Sequence, residues 1–246
     1  MPNINILTPD VIAKIAAGEV VDRPASVIKE LIENALDANA TVIEIHLKEA
    51  GKELIHIKDN GHGIQKDDLT QLFNRHATSK IKNIDDLETL LSMGFRGEAL
   101  YSIAAVSDVT LESQASNSLE GWLVHVRGGK KLLLEPCATK GHGTDIKIAE
   151  LFFNTPARRK FLKSNTSELN QIVNVVSYYC LLYPNKRFIL THGGKTLIDL
   201  KPAPSSKDRV AATLNLDAKH LLETSQDFPA DKIFIKTVLS LSLIHI

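Results

Sequence analysis

A carboxylate and an amide lie four residues apart at Glu30 and Asn34, in a segment with the pattern of a helix. The apolar residues of positions 24–38 recur at helical spacing, at Val27, Ile28, Leu31, Ile32 and Ala35. The pattern predicts that Glu30 and Asn34 share the opposite, polar face, one turn apart. Such a pair can hold a water beside a hard cation such as Mg²⁺, which prefers oxygen ligands. For this helix alone, an ordinary solvated face is the simpler explanation.

Two glycine-containing segments downstream are suited to a nucleotide. The first, directly after a predicted strand, consists of Asp59, Asn60, Gly61, His62 and Gly63. Its acid can accept a hydrogen bond from the exocyclic amine of adenine, and its glycines let the backbone approach a flat ligand. The second precedes a predicted helix, where free backbone N–H groups attract phosphate, and it comprises Gly94, Phe95, Arg96, Gly97, Glu98, Ala99 and Leu100. Each segment alone is also explained as a turn that requires glycine.

Two further polar segments are open to two interpretations. Thr78, Ser79 and Lys80 supply two hydroxyls and an ammonium. These groups suit a lid that orders on a nucleotide and equally a solvated loop. Thr144 follows a glycine turn, so its hydroxyl either meets a ligand or simply begins a strand.

The composition limits the classes of partner. Twenty-nine basic residues balance twenty-nine acidic ones, so the chain lacks the overall charge of a nucleic-acid binder. The densest basic cluster, at residues 158–163, is explained better by an exposed helix face than by a DNA contact. The N-terminus has no signal-peptide pattern, and no apolar run is long enough to span a bilayer. The two cysteines have no metal-ligand spacing, so a cytoplasmic protein with reduced thiols is expected.

The elements that must position these residues are a mixture of strands and helices. Alternating apolar patterns predict strands at 43–47, 54–58, 108–113, 121–126, 131–135, 144–148, 187–191 and 196–200. Helical patterns predict helices at 24–38, from 154 onward and at 167–182. The predicted fold class is α+β, a two-layer sandwich of a mixed, largely antiparallel sheet with helices on one face.

Taken in order, the motifs predict an ATP-hydrolysing site without a Walker-type loop. They resemble the N-terminal ATPase region of the MutL family of mismatch-repair proteins, a branch of the gyrase–chaperone–histidine-kinase–MutL superfamily. The resemblance implies a Bergerat-type ATPase fold over about residues 4–200. The segments that carry it are residues 15–21, 23–26, 75–80, 94–100 and 154–161.

The resemblance implies a role for each residue of the site. Glu30 would be the general base for the water that attacks the γ-phosphate, Asn34 would ligate Mg²⁺, and Asp59 would accept from the adenine amine. Residues 75–97 would form the lid. The implied cofactors are ATP and Mg²⁺, and the implied nucleotide contacts are Asn34, Ala38, Asp59, Asn60, Gly61, Gly63, Thr78, Ser79, Lys80, residues 94–100 and Thr144.

The resemblance also implies partners. The family forms a homodimer on ATP binding, and the closed clamp couples MutS to a downstream nuclease and helicase. DNA is expected to bind weakly and without sequence preference, with the protein near the nucleoid during repair. Two alternatives stay open: a type II topoisomerase-like ATPase subunit, and a nucleotide-gated binding module with negligible turnover.

The chain is expected to divide into unequal parts. Residues 1–200 are predicted to be the ATPase domain, 201–206 a linker, and 207–240 the start of a second, ribosomal-S5-like α/β domain. Residues 241–246 have the sequence expected of a non-native tail encoded by an adapter. The family's γ-phosphate lysine lies on a later loop of the second domain, so we expect this chain to bind ATP, to hydrolyse it weakly and to be mostly monomeric.

Overall fold

A sheet of eight strands is the largest feature of the computed structural model, which describes residues 7–80, 86, 93–94, 97–228 and 233–240. The strands are β1 Val42–Lys48, β2 Leu54–Asp59, β3 Asp108–Gln114, β4 Gly121–Arg127, β5 Lys130–Cys137, β6 Gly143–Ala149, β7 Arg187–His192 and β8 Lys195–Leu200. Their order across the sheet is β5-β4-β3-β6-β2-β1-β7-β8. Within the described residues every pairing is antiparallel except that of β1 with β7. The predicted mixed, largely antiparallel sheet is therefore confirmed.

Alternation along the strands separates an apolar face of the sheet from a polar one. In β1, Ile43, Ile45 and Leu47 are buried, whereas Glu44 and His46 between them are partly exposed. The apolar face forms one core with residues of the helices. The helices are α1 Pro9–Val20, α2 Pro24–Asp37, α3 Lys66–Gln71, α4 Ala99–Ala105, α5 Pro156–Phe161, α6 Asn165–Leu182 and α7 Ser206–Leu214. Residues of α1, α2, α3, α4 and α6 belong to this core, so these helices pack on the apolar face, as expected of the α+β class.

Helix α2 begins and ends where the sequence predicts, to within a residue. Pro24 occupies the first turn, where its missing N–H costs no hydrogen bond. The predicted apolar stripe is buried, because Ile28, Leu31 and Ile32 are all at most 5% exposed. The polar residues of α2 therefore lie on the other side of the helix.

Helix α1 is absent from the sequence-based prediction. It packs against α4, and a glycine allows an arginine of α5 to reach it. A Cβ atom on Gly18 would lie 1.9 Å from Nη2 of Arg158, and the same Nη2 donates to the carbonyl of Ile15 at 3.3 Å. One cation of the predicted basic cluster is thus committed to the backbone of α1.

The C-terminal part adds α7 and a hairpin of β9 Leu221–Phe228 with β10 Ile233–Ser240. Arg209 of α7 is fully buried and donates to the carbonyls of Pro184 and Lys186 at 2.7 and 2.6 Å. The division at residues 201–206 stays a prediction, and residues 241–246 lie outside the described part. Among the described residues, no helix combines the length and apolarity needed to cross a membrane.

Candidate active site

A cavity of about 1500 Å³ lies between α2, the sheet and the segment that leads from α3 to α4. Glu30 and Asn34 line it from α2, and Asp59 and Thr144 line it from β2 and β6. Asp59 pairs directly with Thr144 across these two strands. Residues far apart in the sequence therefore meet around one space large enough for a nucleotide.

The polar face of α2 supplies a partly buried carboxylate to this cavity. The Glu30 side chain is 25% exposed. Burial raises the pKa of Glu30, and the ammonium of Lys29, with Nζ 3.8 Å from Oε1, acts in the opposite direction. A carboxylate with an increased proton affinity at the edge of a cavity is suited to accept a proton from water.

An ammonium group is held against the same face of α2. Nζ of Lys80 contacts the carboxylate of Asp37 and lies 3.4 Å from Oδ1 of Asn34. Amide and carboxylate oxygens are the ligands that Mg²⁺ prefers, and Mg²⁺ usually has few protein ligands and keeps several waters. The described residues contain no group of three His, Cys, Asp or Glu side chains placed for a metal. Asn34 and Asp37 present to this cavity two oxygen-bearing side chains of the kind that suits Mg²⁺.

The opposite end of the cavity is built around a buried acid. Burial raises the pKa of Asp59 to about 6, while backbone hydrogen bonds from Gly61 and Thr144 and the nearby His62 and His142 lower it. The Gly61 N–H donates to Oδ1 of Asp59 at 2.8 Å. The carboxyl group is partly buried and is fixed by the backbone, and both properties suit an acceptor that recognises a base.

The glycines beside Asp59 are required by the protein's own packing. Gly63 has φ +68°, and a Cβ atom there would lie 2.0 Å from the carbonyl oxygen of Gln114. A Cβ atom on Gly61 would lie 2.7 Å from the carbonyl oxygen of Ala38. The close approach that these glycines permit is therefore to neighbouring backbone, which closes this end of the cavity.

Comparison with known proteins gives consistent relatives. Residues 22–127 match a family model described as a histidine kinase-, DNA gyrase B- and HSP90-like ATPase. The DNA mismatch repair protein MutL of Actinobacillus pleuropneumoniae serotype 3 (strain JL03) is 51% identical over 196 residues, which are 80% of this chain and 32% of that protein. The solved Aquifex aeolicus MutL ATPase domain complexed with ADP is 32% identical, with a TM-score of 0.67 over 85% of this chain and 74% of that one.

The chain belongs to the MutL family. A second relative, the DNA mismatch repair protein MutL of Haemophilus influenzae (strain ATCC 51907 / DSM 11121 / KW20 / Rd), is 48% identical over 212 residues, which are 85% of this chain and 34% of that protein. The chain spans about a third of the length of these curated MutL relatives. A solved N-terminal domain of a DNA repair protein, 24% identical with a TM-score of 0.73, agrees in fold.

Most residues that the MutL resemblance assigns to the nucleotide line the cavity. They are Glu30, Asn34, Ala38, Asp59, Gly63, Thr78, Ser79, Lys80, Gly94, Gly97, Glu98, Ala99, Leu100 and Thr144. Phe95 and Arg96 lie outside the described residues.

Two predicted nucleotide contacts do not reach the cavity. Asn60 and Gly61 are not among its lining residues. Oδ1 of Asn60 accepts from the backbone N–H groups of Thr41 and Val42, both at 2.8 Å. The Asn60 side chain therefore holds the start of β1, and Gly61 packs against Ala38; the nucleotide contacts of both residues stay predictions.

Several residues that line the cavity are not among the predicted nucleotide contacts. Glu33 and Asp37 line it from α2, and Glu19 lines it from α1. Asp37 shares the polar face of α2 with Glu30 and Asn34, so helical spacing already indicated it. Other missed lining residues are polar, such as Lys29, Gln71 and Asn74, and a further group is apolar, at Ile57, Ile64, Leu72, Leu111 and Ile146. Apolar lining carries no sequence signal that separates it from the core.

Proposed function

We propose that this chain is the ATP-binding and ATP-hydrolysing module of a MutL-type DNA mismatch-repair protein. The observation that carries the proposal is one cavity that joins a partly buried acid, Asp59, to the carboxylate and amide of α2. The printed description of a solved relative as a MutL ATPase domain complexed with ADP supports it.

The buried acid selects the base. A carboxyl oxygen held by the Gly61 N–H at 2.8 Å keeps a lone pair for the exocyclic amine of adenine. Guanine has a carbonyl oxygen at the equivalent position of the ring, which would face Asp59 with no hydrogen to donate. We therefore expect adenine nucleotides to bind in preference to guanine nucleotides.

Glu30 and Asn34 serve the other end of the nucleotide. Glu30 takes a proton from the water that attacks the γ-phosphate, because it is the carboxylate of α2 whose pKa burial raises within this cavity. Asn34, with Asp37, would hold Mg²⁺, which when bound neutralises charge on the phosphates. Lys80 would then exchange its contact with Asp37 for the phosphates, since its ammonium already faces the cavity.

The glycine segment before α4 completes the phosphate end. Gly94 and Gly97 line the cavity, and Gly97 has φ +61°. Backbone N–H groups in such a segment can donate to phosphate oxygens without side-chain interference. The lid role of residues 75–97 is part of this proposal.

A nucleotide-dependent homodimer is the proposed larger assembly. Leu7, just before α1, and Ile12 and Ile15 on α1 are 48%, 41% and 51% exposed, and such apolar groups favour burial against a partner. The proposed partners of the whole protein are MutS, a downstream nuclease and helicase, and DNA held weakly. Sedimentation of the full-length protein with and without a non-hydrolysable ATP analogue tests the dimer, for which a shift in mass only with the analogue is expected.

Two substitutions test the enzyme. Glu30→Gln should leave the Kd of a fluorescent ATP analogue within about twofold and slow single-turnover hydrolysis about 100-fold. Asp59→Asn should weaken binding of the analogue about tenfold or more, since a charged hydrogen bond is lost. Glu44→Gln, on the polar face of the sheet, is the matched control and should change neither. Loss of analogue binding in Glu30→Gln would show that Glu30 is structural.

A further inference from the structure

A buried tyrosine of α6 touches the polar face of α2 beside Glu30. The Tyr179 hydroxyl donates to Oε1 of Glu33 at 2.6 Å. Tyr179 is 7% exposed, and the Glu33 side chain is 13% exposed. Glu33 lines the cavity, so Tyr179 reaches the site through one intervening side chain.

A lysine links this glutamate to Glu30. Nζ of Lys29 lies 3.5 Å from Oε1 of Glu33 and 3.8 Å from Oε1 of Glu30. The Lys29 side chain is 52% exposed, and an exposed lysine samples many rotamers unless a fixed partner holds it. Glu33 is that partner, and the buried hydroxyl of Tyr179 fixes its position.

Two glutamates of α2 therefore face this cavity, and of these two Glu33 accepts a hydrogen bond from the buried Tyr179. Burial and the neighbouring Glu33 carboxylate raise the pKa of Tyr179, so the hydroxyl keeps its proton and stays a donor. The Glu33 carboxylate thus already accepts a hydrogen bond from Tyr179, whereas the proposed role of the Glu30 carboxylate is to accept a proton from water.

The charges that face Glu30 come from several elements. On α2, Lys29 attracts the carboxylate and Glu33 repels it. Lys80 attracts it from the segment after α3, and Glu19 of α1 lines the same cavity. A fixed Lys29 matters most among these, because it lies within 4 Å of the reacting carboxylate.

We propose that Tyr179 is a positioning residue for hydrolysis: it fixes Glu33, Glu33 orients Lys29, and Lys29 holds the carboxylate of Glu30 toward the attacking water. The inference rests on the proposed role of Glu30 as the base. It adds a residue of α6 that never touches the nucleotide.

Tyr179→Phe tests the proposal, because it removes only the hydroxyl and keeps the ring in the core. With protein in excess over labelled ATP, we expect the single-turnover rate to fall about fivefold, the value of one ordinary hydrogen bond. The Kd of a fluorescent, non-hydrolysable ATP analogue should stay within about twofold of the unaltered chain. Tyr178→Phe is the matched control, since Tyr178 is the preceding residue and is 69% exposed; it should change neither quantity.

A double-variant cycle separates positioning from general loosening. In a Glu33→Ala background the hydroxyl has no partner to fix, so adding Tyr179→Phe should slow hydrolysis no further. The inference is overturned if Tyr179→Phe hydrolyses ATP at the unaltered rate, or if the two effects multiply. It is also overturned if analogue binding weakens in proportion to the rate.

Failure of the proposed function has a different outcome. If the unaltered chain turns over no ATP, or Glu30→Gln hydrolyses normally, the base is misassigned and this inference falls with it. If Glu30→Gln abolishes hydrolysis while Tyr179→Phe leaves it unchanged, only the positioning role of Tyr179 fails.

Discussion

The two ends of the cavity are held together in different ways. At the end around Asp59, strand pairing and backbone hydrogen bonds fix the residues: Asp59 pairs with Thr144, and its carboxyl accepts from the Gly61 N–H. At the end around α2, side chains make the contacts, chiefly Lys80 to Asp37 and Lys29 to Glu33. The first end cannot change without moving the sheet, whereas the second can exchange partners by rotating side chains.

This difference suits the two tasks of an ATPase. Recognition of a base needs a fixed acceptor that is the same before and after binding, and a strand end provides one. Hydrolysis and release need groups that meet the phosphates and then leave them. Substitutions at the first end should therefore alter stability strongly, and those at the second should alter rates or local packing.

The largest effect is expected from Gly63→Ala at the backbone-fixed end. A Cβ atom there would lie 2.0 Å from the carbonyl oxygen of Gln114, at φ +68°. The position of the Cβ atom is fixed by the backbone of residue 63, and its neighbour is a backbone carbonyl, so no side-chain rotation can relieve the clash. We therefore expect a loss of about 3 kcal/mol or more in the free energy of unfolding. Urea denaturation followed by circular dichroism measures it.

Gly193→Ala is the matched control for Gly63→Ala. Gly193 has a similar φ of +56° but nothing within 4 Å of the added Cβ, so only the strain of about 1 kcal/mol remains. Equal losses in the two variants would show that backbone conformation alone, and not the closed packing of this end, requires glycine at position 63.

A smaller and opposite effect is expected from Asp59→Asn. Burial raises the pKa of Asp59 from 3.8 to about 6, so the folded state binds this proton more tightly than the unfolded state. The carboxyl therefore destabilises the fold progressively as pH rises from about 4 through 6. Asparagine carries no such charge, and the difference of about two pKa units corresponds to about 3 kcal/mol at neutral pH. The weaker hydrogen bonds that an amide oxygen accepts from the backbone offset about 1 kcal/mol of this, so the variant should be more stable than the unaltered chain by roughly 2 kcal/mol.

The pH dependence provides the check on Asp59→Asn. The gain in stability should vanish below about pH 4, where Asp59 is protonated in both states. Denaturant midpoints for the two chains at pH 4 and 7.5 measure it. A constant difference at both values would mean that hydrogen bonding, and not the buried charge, separates the variants. Greater stability with weaker adenine binding would mark Asp59 as a residue kept for function.

Local patterns of the sequence were sufficient for much of the site. The spacing of Glu30, Asn34 and Asp37 depends only on helical periodicity, which α2 follows closely. The strand end at Asp59 was likewise predictable, because alternation in residues 54–58 and the following glycines are local signals. The eight-strand sheet followed from the same alternation.

Contacts between segments that are distant in the sequence could not be predicted from such local patterns. Tyr179 meets Glu33 across 146 residues, and nothing near either residue in the sequence indicates the other. The contacts of the Asn60 side chain with the backbone of Thr41 and Val42 were likewise not indicated by the sequence around them. Helix α1 was missed because Gly18 interrupts its pattern, and the reason for that glycine is an arginine 140 positions away in α5.

The smallest effect is expected from Gly18→Ala in α1, a helix that the Arg158 side chain helps to hold, just as side chains hold the α2 end of the cavity. Gly18→Ala places a methyl where the Arg158 guanidinium now lies, 1.9 Å from Nη2, so the arginine must leave the carbonyl of Ile15. We expect the opening free energy of α1, measured by amide hydrogen exchange, to fall by about 1 kcal/mol.

The background in which Gly18→Ala is made decides the interpretation. In an Arg158→Ala background the clash is absent, and Gly18→Ala should raise the opening free energy of α1 by about 0.5 kcal/mol through helix propensity. Arg159→Ala, on the exposed side of α5, is the matched background and should leave the penalty of Gly18→Ala unchanged. If Gly18→Ala changes the opening free energy of α1 with the same sign in the unaltered, Arg158→Ala and Arg159→Ala chains, the Arg158 side chain does not hold α1.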